Sequence, residues 1–236
     1  MKRFLTLGLA AAILVTMTVS AIPTPTASAQ SAGLVSSIFN RMERNRRDLR
    51  SLRAGISMEK YNAQIKDTDK QSGVLVYLPG SGRESYVRVD WQRPKQETLA
   101  VADGQYVLFS PRIKTAWVGS TNSASKNNKV SGVLGFGLNV TQAQLRASYE
   151  TPQDVYEETL WGGVRAFHMK LVPKGGARYS YAEIWVDGSG MPVQTKVVEK
   201  NGDATTVRLM DIQRNAQVSK NEFKIELPSD VKKVRG

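Results

Sequence analysis

The sequence predicts a mainly β (α+β) fold, with one large antiparallel sheet and an N-terminal amphipathic helix. Short segments in which apolar and polar residues alternate recur from residue 53 onwards. Turn sequences such as Asp103-Gly104 and Asp187-Gly188 separate these segments. With 236 residues and 41% hydrophobic content, the chain can bury a substantial core, and we expect one domain.

Residues 1–29 have the composition of a cleaved secretory signal peptide. Lys2-Arg3 precedes an apolar run, and Ala27-Ser28-Ala29 ends the segment with a small-x-small cleavage pattern. A retained membrane anchor is the alternative, although the apolar run is short for a bilayer span of about 20 residues. We therefore expect export to the periplasm, cleavage near Ala29, and a single soluble domain over residues 30–236.

The charge of the chain favours anionic surfaces. The chain has 33 Lys and Arg and 21 Asp and Glu, and the predicted leader contains two of the cations and none of the acids. The remaining excess of positive charge suits anionic lipid head groups or an acidic partner protein, or serves solubility alone. Export argues against nucleic acid as a partner. The absence of Cys excludes both a lipid-modified cysteine and a disulfide framework.

Helical periodicity follows the predicted leader. Apolar residues at helical spacing predict an amphipathic helix over roughly residues 31–50: Leu34, Ile38, Met42, Leu49 and Leu52. Arginines lie mostly off that face, at Arg41, Arg44, Arg47 and Arg50. This basic face either meets anionic lipid or a partner, or it is simply solvated.

Period-two segments then predict about ten strands. The first five cover residues 56–65, 72–78, 85–91, 97–102 and 105–110, and the last five cover residues 156–163, 164–173, 179–187, 192–200 and 205–213. Near the C-terminus, Ser219 and Glu222 form a capping box that predicts one short helical turn anchored by Phe223 and followed by an extended tail.

The segment between the two sets of strands is apolar and rich in glycine. Within it, Thr141 and Gln144 form a capping box that starts a short helix near Gln142. An apolar stretch that its own backbone fixes poorly suits a movable flap over a hydrophobic surface. We therefore predict that residues 130–149 act as a lid.

Few residues are suited to catalysis. His168 is the only histidine, and its place inside a strand pattern favours a structural role over a base or a metal ligand. Gly135-Phe136-Gly137 lacks the third glycine and the preceding strand of a dinucleotide loop. The acids Asp154, Glu157 and Glu158 fit a solvated strand edge better than paired-carboxylate chemistry. We expect no enzymatic activity, no cofactor and no metal.

A curved sheet, an amphipathic helix and an apolar flap instead suggest a cavity for an apolar ligand. Each methylene group withdrawn from water contributes ~0.8 kcal/mol to binding. Acyl chains therefore bind without a set of polar side chains to recognise them. A carrier must also release its ligand. A cavity lined by adaptable Leu, Ile, Met and Phe side chains suits that requirement, as does a lid that has several positions of nearly equal energy.

Three stretches carry a resemblance to a known family: "GVLVYLPG…YVRVDWQRPKQETLAVADGQYVLFSPRIKTAWVG", "IWVDGSGMPVQTKVVEKNGDATTVRLMDIQRN" and "FKIELPSDVKKV". Over most of residues 31–236 the chain resembles the periplasmic outer-membrane lipoprotein carrier (LolA-like) family. The resemblance implies an unclosed antiparallel β-barrel of about ten to eleven strands. In such a barrel an N-terminal amphipathic helix and short lid helices cover a hydrophobic cavity for acyl chains.

The family role implies a monomeric shuttle from inner to outer membrane, with a releasing transporter, an outer-membrane acceptor and transient membrane contact. The longer, Gly-rich segment 119–149 and the strong positive charge depart from the family pattern, so the cargo is either a lipoprotein or a related lipid or glycolipid. A periplasmic lipid-sensing regulator with the same half-barrel is the alternative function.

The resemblance also implies that Arg88 helps to fasten the lid of the empty protein. Strand alternation places Arg88 on the face opposite Val87, Val89 and Trp91, so apolarity alone points its side chain outward. The residues that we expect to form the cavity and lid are Arg88, Leu34, Ile38, Met42, Trp91, Val133, Leu134, Phe136, Leu138 and Leu145.

Overall fold

The computed structural model describes residues 27–80, 85–121, 133 and 138–235, with side chains from residue 32 onwards. Helix α1 (Ala27–Asp48) opens the described chain, and helix α2 (Gln142–Ser148) precedes the second half of the strands. Single 3-10 turns form at Pro111–Ile113 and Lys220–Phe223. Most of the predicted leader and of segment 130–137 lies outside the described residues.

Twelve strands form one sheet. In chain order they are β1 Leu52–Asn62, β2 Asp67–Pro79, β3 Ser85–Arg93, β4 Glu97–Ala102, β5 Gln105–Ser110, β6 Thr115–Ser120, β7 Gln153–Leu160, β8 Val164–Leu171, β9 Tyr179–Asp187, β10 Pro192–Glu199, β11 Ala204–Arg214 and β12 Lys232–Arg235. The spatial order is β12-β6-β5-β4-β3-β2-β1-β11-β10-β9-β8-β7. Neighbours run antiparallel except β12, which pairs in parallel with β6. The sheet is unclosed, with β7 and β12 at its edges.

The predicted fold class is therefore confirmed, with corrections to its elements. Strands β6 and β12 were missed, so the sheet has twelve strands instead of ten or eleven. Residues 67–71, predicted as a loop, continue β2 because they pair with residues 58–62 of β1. Helix α1 ends at Asp48, and Leu52 belongs to β1 instead of the helical face.

One face of the sheet is continuously buried and mostly apolar across its middle. A row of directly opposed residues crosses five strands: Met58, Val207, Thr195, Ile184 and Met169. All five are buried. Since directly paired residues share a face, this row defines an inner face that extends from β1 to β8. The opposite face is called the outer face below.

Helix α1 packs on this sheet through the buried side chains of Val35, Ile38, Phe39 and Met42. Of the described helices, neither is long and apolar enough to cross a bilayer.

Candidate ligand-binding interior

The inner face of β1–β5 is lined by one apolar cluster. Alternation along each strand directs the same residues inwards, and their buried side chains are Leu52, Ala54, Ile56, Met58, Leu75, Tyr77, Val87, Val89, Trp91, Leu99, Val101, Tyr106 and Leu108. Val133 joins this cluster, and Leu138 packs against it half-buried. Val133 and Leu138, which precede α2 in the chain, therefore meet the inner face of the first half of the sheet.

A second apolar cluster lies under the helices. Its buried members are Val35, Ile38, Phe39 and Met42 of α1, Leu145 of α2, and Met169, Leu171, Ile184 and Val186 of β8 and β9. Leu34 packs against it. The two helices thus cover the β8–β9 part of the inner face, and the contact includes two adaptable methionines, Met42 and Met169.

The structure brings the predicted residues into these two clusters. Trp91, Val133 and Leu138 belong to or pack against the first. Leu34, Ile38, Met42 and Leu145 belong to or pack against the second. Leu134 and Phe136 lie outside the described residues. Whether any of these residues contacts a ligand stays a prediction.

Asn45 and Met191 were missed by the sequence analysis. Both are buried, and the Asn45 Nδ2 donates to the Met191 Sδ at 3.5 Å. This contact joins α1 to the turn between β9 and β10. The helical spacing of Ile38, Met42 and Leu49 passes through position 45, so that periodicity could have placed Asn45 on the inner side of α1.

Helix α2 is tied to α1 through Glu43. The Glu43 carboxylate accepts from the backbone N–H of Gln142 at 3.4 Å and from Arg46 Nη2 at 2.7 Å. The hydrogen bond from Arg46 is the main reason that the pKa of Glu43 lies below its usual value. The predicted capping box is present, with Thr141 and Gln144 bonded reciprocally. The start of α2 is therefore held by both its own cap and α1.

A second tie lies at the other end of α2. The hydroxyl groups of Tyr149 and Tyr179 are 2.7 Å apart, and Lys174 Nζ donates to the Arg146 carbonyl at 2.8 Å. Burial is the main cause that raises the pKa of Tyr149 far above its usual value. Helix α2, which lies within the predicted lid, is thus fastened at both ends by hydrogen bonds.

Arg88 lies on the outer face, as strand alternation predicts. Its Nε and Nη2 donate to the two carboxylate oxygens of Asp90 at 2.8 and 3.1 Å. Its Nη1 donates to the backbone carbonyl of Glu222 at 2.9 Å. Within the described part of the chain, all of its guanidinium nitrogens are therefore used by its own strand and the C-terminal turn, and none reaches α1 or α2.

The C-terminal turn is held by a second arginine as well. Arg53 Nη2 lies 2.6 Å from Glu222 Oε2, and the backbone N–H of Ser219 donates to Glu222 Oε1 at 2.9 Å. The Ser219 hydrogen bond, followed by that of Arg53, holds the pKa of Glu222 below its usual value. Arg53, Val76, Arg88 and Ala100 form one row across β1–β4. Glu222 thus bridges two arginines on that row.

Phe223 completes this attachment. Its side chain is 2% exposed, and its ring centroid lies 5.6 Å from that of Tyr86 on β3. The predicted capping box and the predicted anchoring role of Phe223 are both present in the structure. The turn Lys220–Phe223 therefore covers the outer face of β3 and β4.

His168 is packed as a structural strand residue. It is 3% exposed, and its ring lies between those of Tyr156 and Trp185, at centroid distances of 4.6 and 4.8 Å. Its Nδ1 is 2.8 Å from the backbone carbonyl of Asp154. Nowhere in the described ranges do three His, Asp or Glu side chains gather as a metal site would require.

Comparison with known proteins identifies related folds. The family model of the outer membrane lipoprotein carrier protein LolA matches residues 82–226. An uncharacterized conserved protein from Thermus thermophilus aligns with a TM-score of 0.50 and 13% identity, over 86% of this chain and 99% of that chain. No curated protein sequence matches the chain significantly.

Solved structures that contain MucB also align with the chain. MucB alone aligns with a TM-score of 0.53 and 13% identity, over 82% of this chain and 63% of that chain. The Pseudomonas aeruginosa MucA/MucB complex aligns with a TM-score of 0.49 and 15% identity, over 81% of this chain and 60% of that chain. At these identities the similarity concerns the fold.

Proposed function

This chain belongs to the family of the outer membrane lipoprotein carrier protein LolA, and from that premise we propose that it is a soluble periplasmic carrier of acylated molecules. It binds the acyl chains of lipoproteins, or of related lipids, between the sheet and its helical cover. It then carries them from the inner to the outer membrane as a monomer. The observation that carries this proposal is the apolar inner face of an unclosed sheet, covered on one part by α1 and α2.

The inner face suits acyl chains because it offers apolar area with adaptable side chains. Each apolar cluster contains methionine, for example Met58 in the first and Met42 in the second. Because methionine side chains are unbranched and flexible, they adjust to acyl chains of different length. Each buried methylene contributes ~0.8 kcal/mol, so two or three acyl chains supply ample affinity. For an acyl chain to enter, the residues that pack on the inner face from α1, α2 and the chain before α2 must move away from it.

Helix α2 is the part of the cover that can separate from the sheet at modest cost. Helix α2 has seven residues and one buried side chain, Leu145. Polar ties through Glu43 and Tyr149 hold it in place. Hydrogen bonds of this kind contribute about 1 kcal/mol each, which is small beside the burial of several acyl chains. Cargo binding can therefore displace α2 and the segment before it.

The charge of α1 suits a transient encounter with anionic membranes. Arg44, Arg47 and Arg50 are exposed along the helix and its end. Lipid head groups attract such cations within a Debye length of ~8 Å at physiological salt. The partners are then a releasing transporter at the inner membrane and an acceptor at the outer membrane, reached by export through the leader 1–29.

The test is to purify the exported protein from its native compartment, extract it with organic solvent and identify bound lipids by mass spectrometry. The proposal expects stoichiometric acylated molecules, with lipoprotein N-terminal peptides among them if the cargo is lipoprotein. Protein that repeatedly yields no acylated molecule, although it is folded and exported, contradicts the proposal.

A periplasmic lipid-sensing regulator with the same half-barrel fold is the second candidate. A sensor binds lipid and then controls a membrane partner, whereas a carrier moves lipid between membranes. Transfer of a labelled lipopeptide from donor to acceptor vesicles separates the two functions. Binding without any gain in the transfer rate favours the sensor.

A further inference from the structure

Three buried polar side-chain atoms have no hydrogen-bond partner in the part of the chain that the structure describes. They are Trp91 Nε1, Tyr106 Oη and Gln71 Oε1. Trp91 and Tyr106 belong to the inner-face cluster. Gln71 stands directly opposite Met58, another member of that cluster. All three atoms therefore lie on the face that the proposed cargo would contact.

The hydroxyl of Tyr106 is placed there by the sheet. Tyr106 on β5 is directly paired with Gly119 on β6. A Cβ atom on Gly119 would lie 2.8 Å from the Tyr106 Cε1 and 2.9 Å from its hydroxyl oxygen. The ring thus extends over the glycine, towards β6 and away from β3. A phenylalanine would fill the same space, so packing alone gives no reason for the hydroxyl.

The indole of Trp91 also stands opposite a glycine. Trp91 on β3 is paired with Gly73 on β2, beside a β-bulge. A Cβ on Gly73 would lie 2.2 Å from the backbone oxygen of Asp90, so the bulge excludes any side chain there. Strand β2 therefore provides no side chain directly across from Trp91, whereas β4 places Glu97 there. Its N–H is buried in an apolar cluster without an acceptor in the described part of the chain.

Native proteins rarely bury an N–H or O–H without a partner, because the group loses its hydrogen bonds to water. A pure hydrocarbon ligand would leave both donors unsatisfied. The carbonyl oxygen of an acyl ester or amide accepts from an N–H or an O–H and is chemically continuous with the apolar chain. Such a ligand satisfies the donors and fills the apolar interior at once.

We propose that the inner face recognises acyl linkages, with Tyr106 Oη and Trp91 Nε1 donating to acyl carbonyl oxygens. This inference rests on the proposed carrier function and specifies its ligand class. Trp91 on β3 pairs with Glu97 of β4, and Tyr106 on β5 pairs with Val101 of β4. These two β4 residues are four positions apart, so Trp91 and Tyr106 are offset by about 14 Å along the strand direction. Because the Tyr106 ring extends away from β3, the two donors serve different carbonyls. The geometry suits a ligand with more than one acyl group.

The experiment compares ligands that differ only in their carbonyl groups. Diheptanoyl phosphatidylcholine and its dialkyl ether counterpart are titrated into the full exported protein and into Tyr106→Phe. Wild type should prefer the ester, and Tyr106→Phe should lose about tenfold in ester affinity while its ether affinity is unchanged. A synthetic triacylated lipopeptide forms a third arm, because its carbonyls come from a lipoprotein instead of a phospholipid. Tighter binding in either arm identifies the source of the acyl groups.

The same substitution should have the opposite effect on the ligand-free protein, which it should stabilise. Removing a buried, unsatisfied hydroxyl should raise the Tm of empty Tyr106→Phe by about 2–4 °C. Tyr77→Phe is the matched control, because Tyr77 lies in the same cluster but its hydroxyl is not among the unpartnered buried atoms. We expect this control to keep the ester preference. A lower Tm for Tyr106→Phe would show that its hydroxyl already has a partner and would overturn the inference.

Trp91 provides a direct spectroscopic readout. The four Trp residues give four indole ¹⁵N–¹H signals, and Trp91→Phe assigns one of them. The Trp91 signal should shift downfield with the ester and stay in place with the ether. If both ligands bind equally and neither the signal nor Tyr106→Phe distinguishes them, the acyl-linkage inference fails while the carrier proposal stands. If wild type binds no amphiphile in any arm, both fail.

Discussion

Arg88 donates a hydrogen bond to the backbone carbonyl of Glu222, which lies 134 residues later in the chain and 2.9 Å away. Arg88 is also paired with Asp90, so it joins the outer face of β3 to the C-terminal turn. The family resemblance implies that this arginine steadies the lid. Its described contacts instead indicate that it fastens the turn behind the sheet.

We predict that Arg88→Leu loosens the C-terminal turn. The carbonyl of Glu222 loses its donor and Asp90 loses its ion pair, so the free energy of unfolding should fall by about 1–2 kcal/mol. Hydrogen exchange should quicken in residues 219–224 more than in α2. Arg112→Leu, at an exposed arginine, is the control. Faster exchange confined to α2, with the turn unchanged, would restore the lid role.

The pH dependence of this attachment follows from Glu222. Its pKa is lowered in the folded protein, first by the Ser219 N–H and then by Arg53, so the carboxylate stabilises the fold above its ordinary pKa of 4.5. That stabilisation is lost as the pH falls through the lower folded pKa. Glu222→Gln should therefore be less stable than wild type near neutral pH, and the difference should shrink in acid. Denaturation curves at several pH values measure this, and a difference that is constant with pH contradicts it.

Glu43→Gln tests the tie between the helices. A neutral amide pairs more weakly with Arg46 and with the N–H of Gln142, so α2 should open more often. We expect hydrogen exchange over Gln142–Ser148 to quicken about threefold to tenfold, and bound lipid to be released faster. Asp48→Asn on the same helix is the control. Unchanged exchange in α2 would mean that the Leu145 contact alone holds it.

Gly119→Ala tests the packing of Tyr106. The added methyl group would lie within 3 Å of the ring, and overpacking of this kind costs about 1–3 kcal/mol. Gly119→Ala should lower the free energy of unfolding much less in a Tyr106→Leu background, because the ring is then absent. Thermal denaturation of the four proteins in this cycle measures the coupling. Equal costs in both backgrounds would place the ring elsewhere.

Local sequence signals predicted the local structure well. Asp103 and Gly104 both adopt positive φ, at 50° and 72°, as an Asp-Gly hairpin turn requires. The two capping boxes, at Thr141 and Ser219, formed as their spacing indicates. Alternation in β3 also placed Arg88 outward. These signals depend on neighbouring residues only, so one sequence suffices to find them.

Features that depend on distant pairing were not predicted. Strand β12, with the sequence Lys-Lys-Val-Arg, has no apolar alternation and exists because it pairs with β6. The partner of Arg88 comes from a turn at the other end of the chain. The environment of the Trp91 and Tyr106 donors depends on what surrounds them in three dimensions. Only the folded arrangement reveals such relationships.

Salt dependence separates membrane encounter from cargo affinity. Raising ionic strength screens the arginines of α1 and should slow capture of lipid from anionic vesicles. Affinity for a neutral acylated ligand should change little, because burial of apolar area is not screened. Stopped-flow capture and equilibrium titration measure the two quantities. If the equilibrium affinity for the neutral ligand falls steeply with salt, a surface electrostatic site binds it instead.

Leu138→Asp tests whether the segment before α2 forms part of the binding site. Leu138 packs half-buried against the inner-face cluster, and a carboxylate there would have to be desolvated beside an acyl chain. We expect affinity for a neutral acylated ligand to fall at least about tenfold. Ile65→Asp, at an exposed position in the β1–β2 turn, is the control. Equal affinities would place the ligand elsewhere on the protein.

The most direct measurement of the carrier function is extraction of a triacylated lipopeptide from vesicles. Purified protein is mixed with vesicles that contain the labelled lipopeptide, and soluble complexes are separated by gel filtration. The carrier proposal predicts a soluble complex of one protein with one lipopeptide, formed by wild type and strongly reduced in Met58→Asp, which places a charge on the inner face. If the lipopeptide stays with the vesicles at every concentration of folded wild-type protein, the chain does not carry acylated cargo.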